Sequence, residues 1–174
     1  MDKVTKTEYE AKLDSNIEQL VERLKGKRYR AKLVRRKNIP KGKDKVRPLG
    51  IPALEDKLLQ LMAARILAAI YEGDFLESSK GYRPGKGPRE ASEELAARLH
   101  AGKYHWVVEA DIRGFFGSIS HQWMGKMLQE RIEDAAFIGL ISKWLKAGIM
   151  EEDGRILHPA TGTPQGGIAT PPTQ

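Results

Sequence analysis

One aspartate, Asp111, is the residue in this sequence best placed to do chemistry. It directly follows Tyr104–Ala110, an apolar run in which Trp106–Val108 are consecutive β-prone residues. That composition predicts a strand buried on both faces or nearly so, with the aspartate just past its end. A carboxylate at the rim of a sheet is a ligand for a hard divalent cation such as Mg²⁺. The alternative is a turn or helix-capping aspartate, which is the more common role of an isolated one.

Two basic residues six positions apart, Lys41 and Arg47, form a second candidate group. They lie in the stretch 31–52, which predicts a short, partly open hairpin turned at residues 41–44. On a two-stranded hairpin both side chains can reach one anion, because Arg offers a planar fork for phosphate oxygens and Lys a point charge. The alternative is a surface pair with no specific partner.

Two glycine-rich loops complete the candidates. The first, Ser78–Pro88, contains three glycines and two prolines around Arg83. This arginine either contacts a backbone phosphate or is a structural arginine paired to a carboxylate, and the sequence does not choose between these roles. The second is Gly162–Gly167, which we call the GTPQGG loop after its sequence; it contains Gln165. Its glycines allow a ligand to approach the backbone closely, and its proline stiffens the turn.

Helices and a second hairpin are predicted around these segments. The periodicity of apolar residues and the positions of capping residues predict the following elements: a helix opened by a capping box of Thr7 and Glu10 and ended by Gly26, a largely buried helix from Leu54 to Tyr71, a helix from Arg89 to Leu99, a helix capped by Ser120 and running to Ile132, a helix from Ala135 to Lys146, and a hairpin from Ile149 to His158 turned at Asp153-Gly154.

Composition narrows the class of protein. The 174 residues are 40% hydrophobic, contain no cysteine, and predict a cytoplasmic protein without a signal peptide, membrane span or disulfide. The net charge of +7 is uneven, because Lys25–Arg47 alone carries +11 and the rest of the chain −4. Charge concentrated in this way indicates a surface that faces a polyanion. The alternative is a solvated basic face that only aids solubility.

Four motifs, in this order, resemble the front half of a group II intron-type reverse transcriptase, or intron maturase. They are Arg47–Pro52 (RPLGIP), Ser79–Gly85 (SKGYRPG), Asp111–Phe116 (DIRGFF) and the GTPQGG loop. Each motif alone is a loose pattern, and their order and spacing make the resemblance specific. It covers about Tyr29 to Gly167, and residues 1–25 match only loosely.

The resemblance implies a fold and a domain organisation. It implies an α+β protein with right-hand polymerase-like fingers and an incomplete palm sheet, mostly helical with short antiparallel strands. Residues 1–28 would form an N-terminal helical extension, residues 29–104 the fingers, and residues 105–174 a partial palm, packed as a single compact unit.

The resemblance also assigns roles to individual residues. Asp111 would be the catalytic residue and metal ligand, and Phe116 would lie beneath the nucleotide sugar and exclude a 2′-hydroxyl. The remaining nucleotide-binding assignments are Lys41 and Arg47 at the triphosphate, and Ile112 and Gln165 in the pocket. Nucleic-acid contacts are assigned to Arg35, Arg36, Lys43, Lys45 and Arg83. Phe115, next to the sugar-packing aromatic, is expected to pack in the core.

Relatives in this family supply further catalytic carboxylates from a later Tyr/Phe-Ala-Asp-Asp hairpin that this sequence does not contain. Phosphoryl transfer at a polymerase site uses two metal ions, which one carboxylate cannot hold. We therefore expect a truncated chain, inactive alone and with weak or absent Mg²⁺ binding. The alternative is a non-catalytic RNA-binding module. Expected partners are RNA (intron or template), with a DNA primer and dNTPs for the intact enzyme, and a second copy covering an exposed palm edge.

Overall fold

The computed structural model describes residues 4–40 and 46–163. Over these residues the chain combines helices with one four-stranded sheet, which agrees with the predicted α+β class. The elements in chain order are α1 (Lys6–Glu10), α2 (Leu13–Lys25), β1 (Val34–Pro40), β2 (Val46–Ile51), α3 (Leu54–Tyr71), α4 (Pro88–His100), α5 (Phe115–Ser118), α6 (His121–Gln129), α7 (Ala135–Leu145), β3 (Ile149–Met150) and β4 (Ile156–Leu157). Within the described ranges, no helix is both long and apolar enough to cross a membrane.

The sheet has the strand order β2-β1-β3-β4. β1 runs antiparallel to β2 and parallel to β3, and β3 runs antiparallel to β4. The β1–β2 hairpin is paired from Arg35 opposite Ile51 to Pro40 opposite Val46, so it is longer and more regular than the sequence predicted. Pro48 fits within β2 because β2 is an edge strand, where a missing N–H is tolerated.

The predicted strand Tyr104–Ala110 is wrong. This run has no regular secondary structure and is exposed, with Trp106 90% and Val108 89% accessible to solvent. Its composition is β-prone, but β propensity largely reflects packing against neighbouring strands. Every strand pairing among residues 4–40 and 46–163 is made by β1–β4 or by an isolated bridge elsewhere. Without a partner strand, the run stays irregular and its apolar side chains remain in solvent.

The N-terminal helix is capped two residues earlier than predicted. Thr5 and Glu8, rather than Thr7 and Glu10, form the capping box: the Glu8 carboxylate accepts from the Thr5 backbone N–H at 2.8 Å, and the Glu8 N–H donates to the Thr5 hydroxyl. The predicted single helix is divided into α1 and α2. Its predicted end at Gly26 is confirmed.

The later helices and the second hairpin are confirmed with small differences at their ends. Ser120 caps α6 as predicted, but the helix ends at Gln129 rather than Ile132. α3 is less buried than predicted, because Met62 and Ile66 on its outer face are exposed. The predicted hairpin turns at Gly154, with β3 and β4 on either side.

By packing, the chain divides into two compact units. One consists of Met1–Ala63 with Gly114–Gln174, and the other of Ala64–Arg113. The predicted boundaries at residues 28 and 104 describe functional subdomains, and they stay a prediction. The buried apolar residues of the first unit come from its helices, its sheet and the segments that connect them: Tyr9, Leu20, Tyr29, Val34, Ala53, Leu59, Ala63, Ile132, Ile141, Trp144 and Ile149.

A buried polar network lies within this core. The Tyr29 hydroxyl donates to Asp56 Oδ1 at 2.6 Å and accepts from Trp144 Nε1 at 2.8 Å. The second carboxylate oxygen of Asp56 accepts from the Lys32 backbone N–H at 2.9 Å, and the Lys143 ammonium donates to the Tyr29 carbonyl. Burial raises the pKa of the Asp56 carboxyl and of the Tyr29 hydroxyl. The network connects α3, α7 and the segment before β1.

We predict that Tyr29→Phe destabilises the protein by about 1–3 kcal/mol, because it removes one hydrogen-bond acceptor and one donor from a buried network. The measurement is the free energy of unfolding from urea denaturation. Tyr9→Phe is the matched control, since the Tyr9 hydroxyl is also buried but has no hydrogen-bond partner among the described residues. It should change stability little. Equal losses in the two variants would contradict the account.

Candidate nucleotide site and basic hairpin

The predicted sugar-packing aromatic, Phe116, lies in a one-turn helix. α5 begins after Gly114, whose φ of +65° places it in the left-handed region. Phe116 is half-buried, and its ring packs edge-on against Phe115 with centroids 5.3 Å apart. The expectation that Phe115 packs in the core is wrong, because 49% of it is exposed. A single surface turn leaves one of two adjacent side chains in solvent, and here it is Phe115.

The start of the GTPQGG loop is bonded to this same turn, α5 and the following Ile119, which we call the Phe116 turn. The Gly162 N–H donates to the Ile119 carbonyl at 2.7 Å, and the Thr163 N–H donates to the Phe116 carbonyl at 2.8 Å. Residues some 45 positions apart in sequence thus meet through their backbones. The structure therefore brings together two of the predicted nucleotide-pocket elements.

Gly162 is required where the two segments meet. Its φ is +86°, a region that residues with a Cβ rarely adopt. A Cβ at this position would lie 2.8 Å from the Gly117 carbonyl oxygen and 2.9 Å from the Phe116 carbonyl oxygen. Both distances are too short, and both neighbours are backbone atoms that cannot rotate away. The glycines of this loop predicted a close approach of a ligand to the backbone. At Gly162 the close approach is instead made to the backbone of the Phe116 turn.

His121 also contacts the loop, and the sequence did not identify it. Its Nε2 atom lies 2.7 Å from the Gly162 carbonyl oxygen. It is the first residue of α6, directly after the capping Ser120, which itself bridges Thr161. A single histidine after a helix cap has no pattern that would mark it, so only the fold could reveal this contact.

Asp111 and Ile112 are both exposed, in the irregular segment that replaces the predicted strand. They belong to the Ala64–Arg113 unit, whereas Phe116 and Gly162 belong to the other. Among the described residues, no group of three or more Asp, Glu or His is arranged to hold a metal ion. These residues do not by themselves fit the Mg²⁺ site of a polymerase, because a two-metal clamp needs several carboxylates around the ions.

The register of the β1–β2 hairpin sorts its basic residues by face. Arg35 lies opposite Ile51 and Arg47 opposite Ile39, and alternation along each strand places Arg35, Lys37 and Arg47 on one face. Arg36 lies on the other face. Four further predicted residues, Lys41, Lys43, Lys45 and Gln165, lie outside the described residues.

An acidic segment after β3 lies beside β1. The Arg36 guanidinium contacts Glu151 at 3.3 Å, and the Lys37 ammonium lies 4.0 Å from Glu152. The Asn38 backbone N–H donates to Glu152, which lowers the pKa of that carboxyl. The basic charge of β1 is therefore partly compensated along the side that pairs with β3, and most strongly at Arg36.

Arg83 occupies a structural position. Its side chain is buried, and Nε and Nη2 donate to Glu72 Oε1 at 3.1 and 2.8 Å. Nη1 donates to the carbonyls of Leu76 and Ser79, and the guanidinium lies over the Phe75 ring at 5.2 Å. Four of its five N–H donors are thus used by the loop and the segment just before it. Of the two roles left open by the sequence, the geometry favours the structural one, and the phosphate contact stays a prediction.

Comparison with known proteins places these motifs in a family. Residues 39–173 match the family "Reverse transcriptase (RNA-dependent DNA polymerase)". The chain is 34% identical over 174 residues to "Protein YkfC" of Escherichia coli (strain K12), covering 98% of this chain and 45% of that protein. It is 37% identical over 159 residues to "Group II intron-encoded protein LtrA" of Lactococcus lactis subsp. cremoris, covering 91% and 26%. The chain thus spans less than half the length of these relatives.

A more distant match is "Nuclear intron maturase 1, mitochondrial" of Arabidopsis thaliana. It is 25% identical over 95 residues, which cover 55% of this chain and 13% of that protein. The relatives whose names refer to introns therefore include both bacterial and mitochondrial proteins.

We predict that Gly162→Ala lowers the free energy of unfolding by about 2–3 kcal/mol, because it combines a left-handed φ with a backbone clash. The matched control is Gly154→Ala. Gly154 has a nearly identical φ of +85°, but a Cβ there would meet no atom within 4 Å. The control should lose only about 1 kcal/mol, the cost of the backbone conformation. Urea denaturation measures both, and equal losses would show that the Gly162 loop is not docked on the Phe116 turn.

Proposed function

Because this chain belongs to the reverse transcriptase (RNA-dependent DNA polymerase) family, we propose that it is part of a group II intron-type reverse transcriptase that also assists intron splicing as a maturase. In this proposal residues 29–104 form the fingers and residues 105–174 the first part of the palm. The intact enzyme extends a DNA primer on an RNA template with dNTPs. The resemblance to intron-encoded proteins and maturases supports this assignment.

The observation that carries the proposal is the docking of the GTPQGG loop on the Phe116 turn. Two backbone hydrogen bonds, at 2.7 and 2.8 Å, fix the first residues of the loop against the aromatic. A polymerase pocket needs a surface for the sugar beside a backbone that approaches the nucleotide closely. In this proposal Phe116 supplies the first and the backbone at Gly162 and Thr163 the second, with Gln165 assigned to the same pocket.

The basic hairpin supplies the charge that a nucleotide triphosphate and RNA require. Arg35, Lys37 and Arg47 share one face of the β1–β2 hairpin. We assign Arg47, with Lys41, to the triphosphate, and Arg35, with Lys43 and Lys45, to the RNA backbone. Arg36 contributes less to binding of these phosphates, because its guanidinium already pairs with Glu151.

The proposed metal is Mg²⁺, and it belongs to the intact enzyme. Reverse transcriptases as a family use divalent metal ions, and Asp111 is the ligand that this chain would contribute. The described residues do not form a metal site on their own. The roles derived for this chain are therefore to bind the nucleotide and the RNA.

We predict that the chain binds single-stranded RNA with an affinity that falls steeply as salt rises, because Lys and Arg contacts release counterions from the phosphates. The variant Arg35→Gln should reduce the slope of log K against log salt by about 0.7, the value for one lost phosphate contact on a single strand. Arg36→Gln, on the opposite face, is the control and should change the slope little. Fluorescence anisotropy with a labelled RNA measures this, and binding that ignores salt would contradict the proposal.

A second candidate is a non-catalytic RNA-binding module, which the basic face of the hairpin favours because it needs no metal to act. Primer extension with an RNA template, Mg²⁺ and dNTPs separates the two. For this chain alone we expect RNA binding without extension. Extension that Asp111→Ala abolishes would instead show that this chain is catalytic by itself.

We also propose that the chain self-associates through its exposed apolar segment. Trp106–Val108 and Ile112 are each at least 60% exposed. A second copy that covers them would bury this surface. Size-exclusion chromatography with light scattering should show a dimer that Trp106→Ser/Val108→Ser weakens. A monomer at every concentration would contradict this proposal.

A further inference from the structure

We propose that His121 is a positioning residue that clamps the peptide unit between Gly162 and Thr163 at the start of the GTPQGG loop. This clamp is a property of the fold of this chain and does not depend on a bound nucleotide. Its consequence for nucleotide binding rests on the proposed function, in which this loop lines the nucleotide pocket.

The contact fixes the chemical state of one ring nitrogen. His121 Nε2 lies 2.7 Å from the Gly162 carbonyl oxygen. A carbonyl oxygen can only accept, so Nε2 must carry a proton and donate it. The neutral tautomer protonated at Nε2 and the imidazolium both satisfy this requirement. The contact therefore holds in both protonation states of the ring.

The clamp acts on both polar groups of one peptide unit. The carbonyl of Gly162 and the N–H of Thr163 belong to the same planar amide, and in a trans peptide they point in opposite directions. The carbonyl is held by His121, and the N–H is held by the Phe116 carbonyl at 2.8 Å. A plane bonded at both edges cannot rotate without breaking one of these bonds. The preceding Gly162 N–H, bonded to Ile119, adds a third point of attachment.

The clamped amide lies beside Phe116, the proposed sugar-packing residue. Thr163 precedes a proline in the sequence, and a residue before proline has restricted backbone angles. Because binding depends on groups held to within about 1 Å, loosening the amide should move Gly162 and Thr163 relative to Phe116 and weaken nucleotide binding.

The local sequence places His121 where this clamp requires it. Ser120 caps α6 and also bridges Thr161, so the first residue of the helix lies directly beside the loop. The Thr161 hydroxyl donates to the Gly117 carbonyl, which holds the residue before Gly162 against the same turn. The histidine is half-buried in this arrangement. Its side chain therefore spans from the end of α6 to the loop.

The test compares His121→Phe with His121→Gln. Phe keeps a planar ring but cannot donate, whereas Gln carries an N–H donor at about the reach of Nε2. The first readout is the hydrogen-exchange rate of the Thr163 amide, measured by NMR on the chain without nucleotide. We expect exchange about tenfold faster in His121→Phe, as one net hydrogen bond implies, and a rate close to that of the unsubstituted chain in His121→Gln.

His100→Phe is the matched control. The Nδ1 atom of His100 also contacts a backbone carbonyl, that of Ala96, at 3.0 Å within α4. Losing that contact should leave Thr163 exchange unchanged. Unchanged exchange in His121→Phe would overturn the clamp, and so would equally fast exchange in His121→Gln, because the ring itself rather than its donor would then be responsible.

The second readout is the affinity for a dNTP with Mg²⁺, measured by titration of the same variants. His121→Phe should weaken it about tenfold, and His121→Gln should retain it. If no variant binds a dNTP, and neither does the unsubstituted chain, the proposed function fails while the exchange rates still decide the clamp. If dNTP affinity is unchanged in His121→Phe although Thr163 exchange is faster, the clamp has no role in nucleotide binding and that part of the inference is overturned.

Discussion

The first unit depends most on the hydrogen bonds that the buried carboxylate of Asp56 accepts. It accepts from the Tyr29 hydroxyl and from a backbone N–H, and Trp144 donates to the same hydroxyl. A buried charge is tolerated only when such partners surround it. The network joins α3 and α7 to the segment that enters β1. β3 follows α7 directly and pairs with β1 at Val34 opposite Ile149. The position of the basic hairpin relative to the rest of the sheet therefore depends on this group of hydrogen bonds.

The candidate site uses a different kind of interaction. The GTPQGG loop and the Phe116 turn are joined mainly through backbone N–H and carbonyl groups, and side chains enter at Thr161 and His121. Backbone contacts of this kind require a residue without a Cβ at the point of closest approach, which is Gly162. The site thus combines backbone N–H and carbonyl groups, which nearly every residue has, with one position that strongly favours glycine. This explains the glycine at the first position of the motif.

Sequence patterns predicted the elements that depend on local chemistry. Ser120 caps its helix and Gly26 ends another, because a cap is determined by a few neighbouring residues. The run Tyr104–Ala110 failed as a strand, since strand formation depends on partners that a local pattern does not contain. The structural role of Arg83 became visible only from its acceptors in the folded chain, Leu76 and Glu72. His121 could not be found at all, because its partner is a carbonyl 41 residues away. Motif order identified the family, and the fold showed how two of those motifs meet.

The central proposal is that the Phe116 turn and the start of the GTPQGG loop, at Gly162 and Thr163, form one nucleotide-binding surface. NMR titration of the labelled chain with a dNTP and Mg²⁺ tests this most directly, because every backbone amide of the surface reports separately. We predict saturable shifts of the Phe116, Gly162 and Thr163 amides that follow a single binding curve. Shifts confined to other parts of the chain, or no shifts at these three amides under saturating nucleotide, would contradict it.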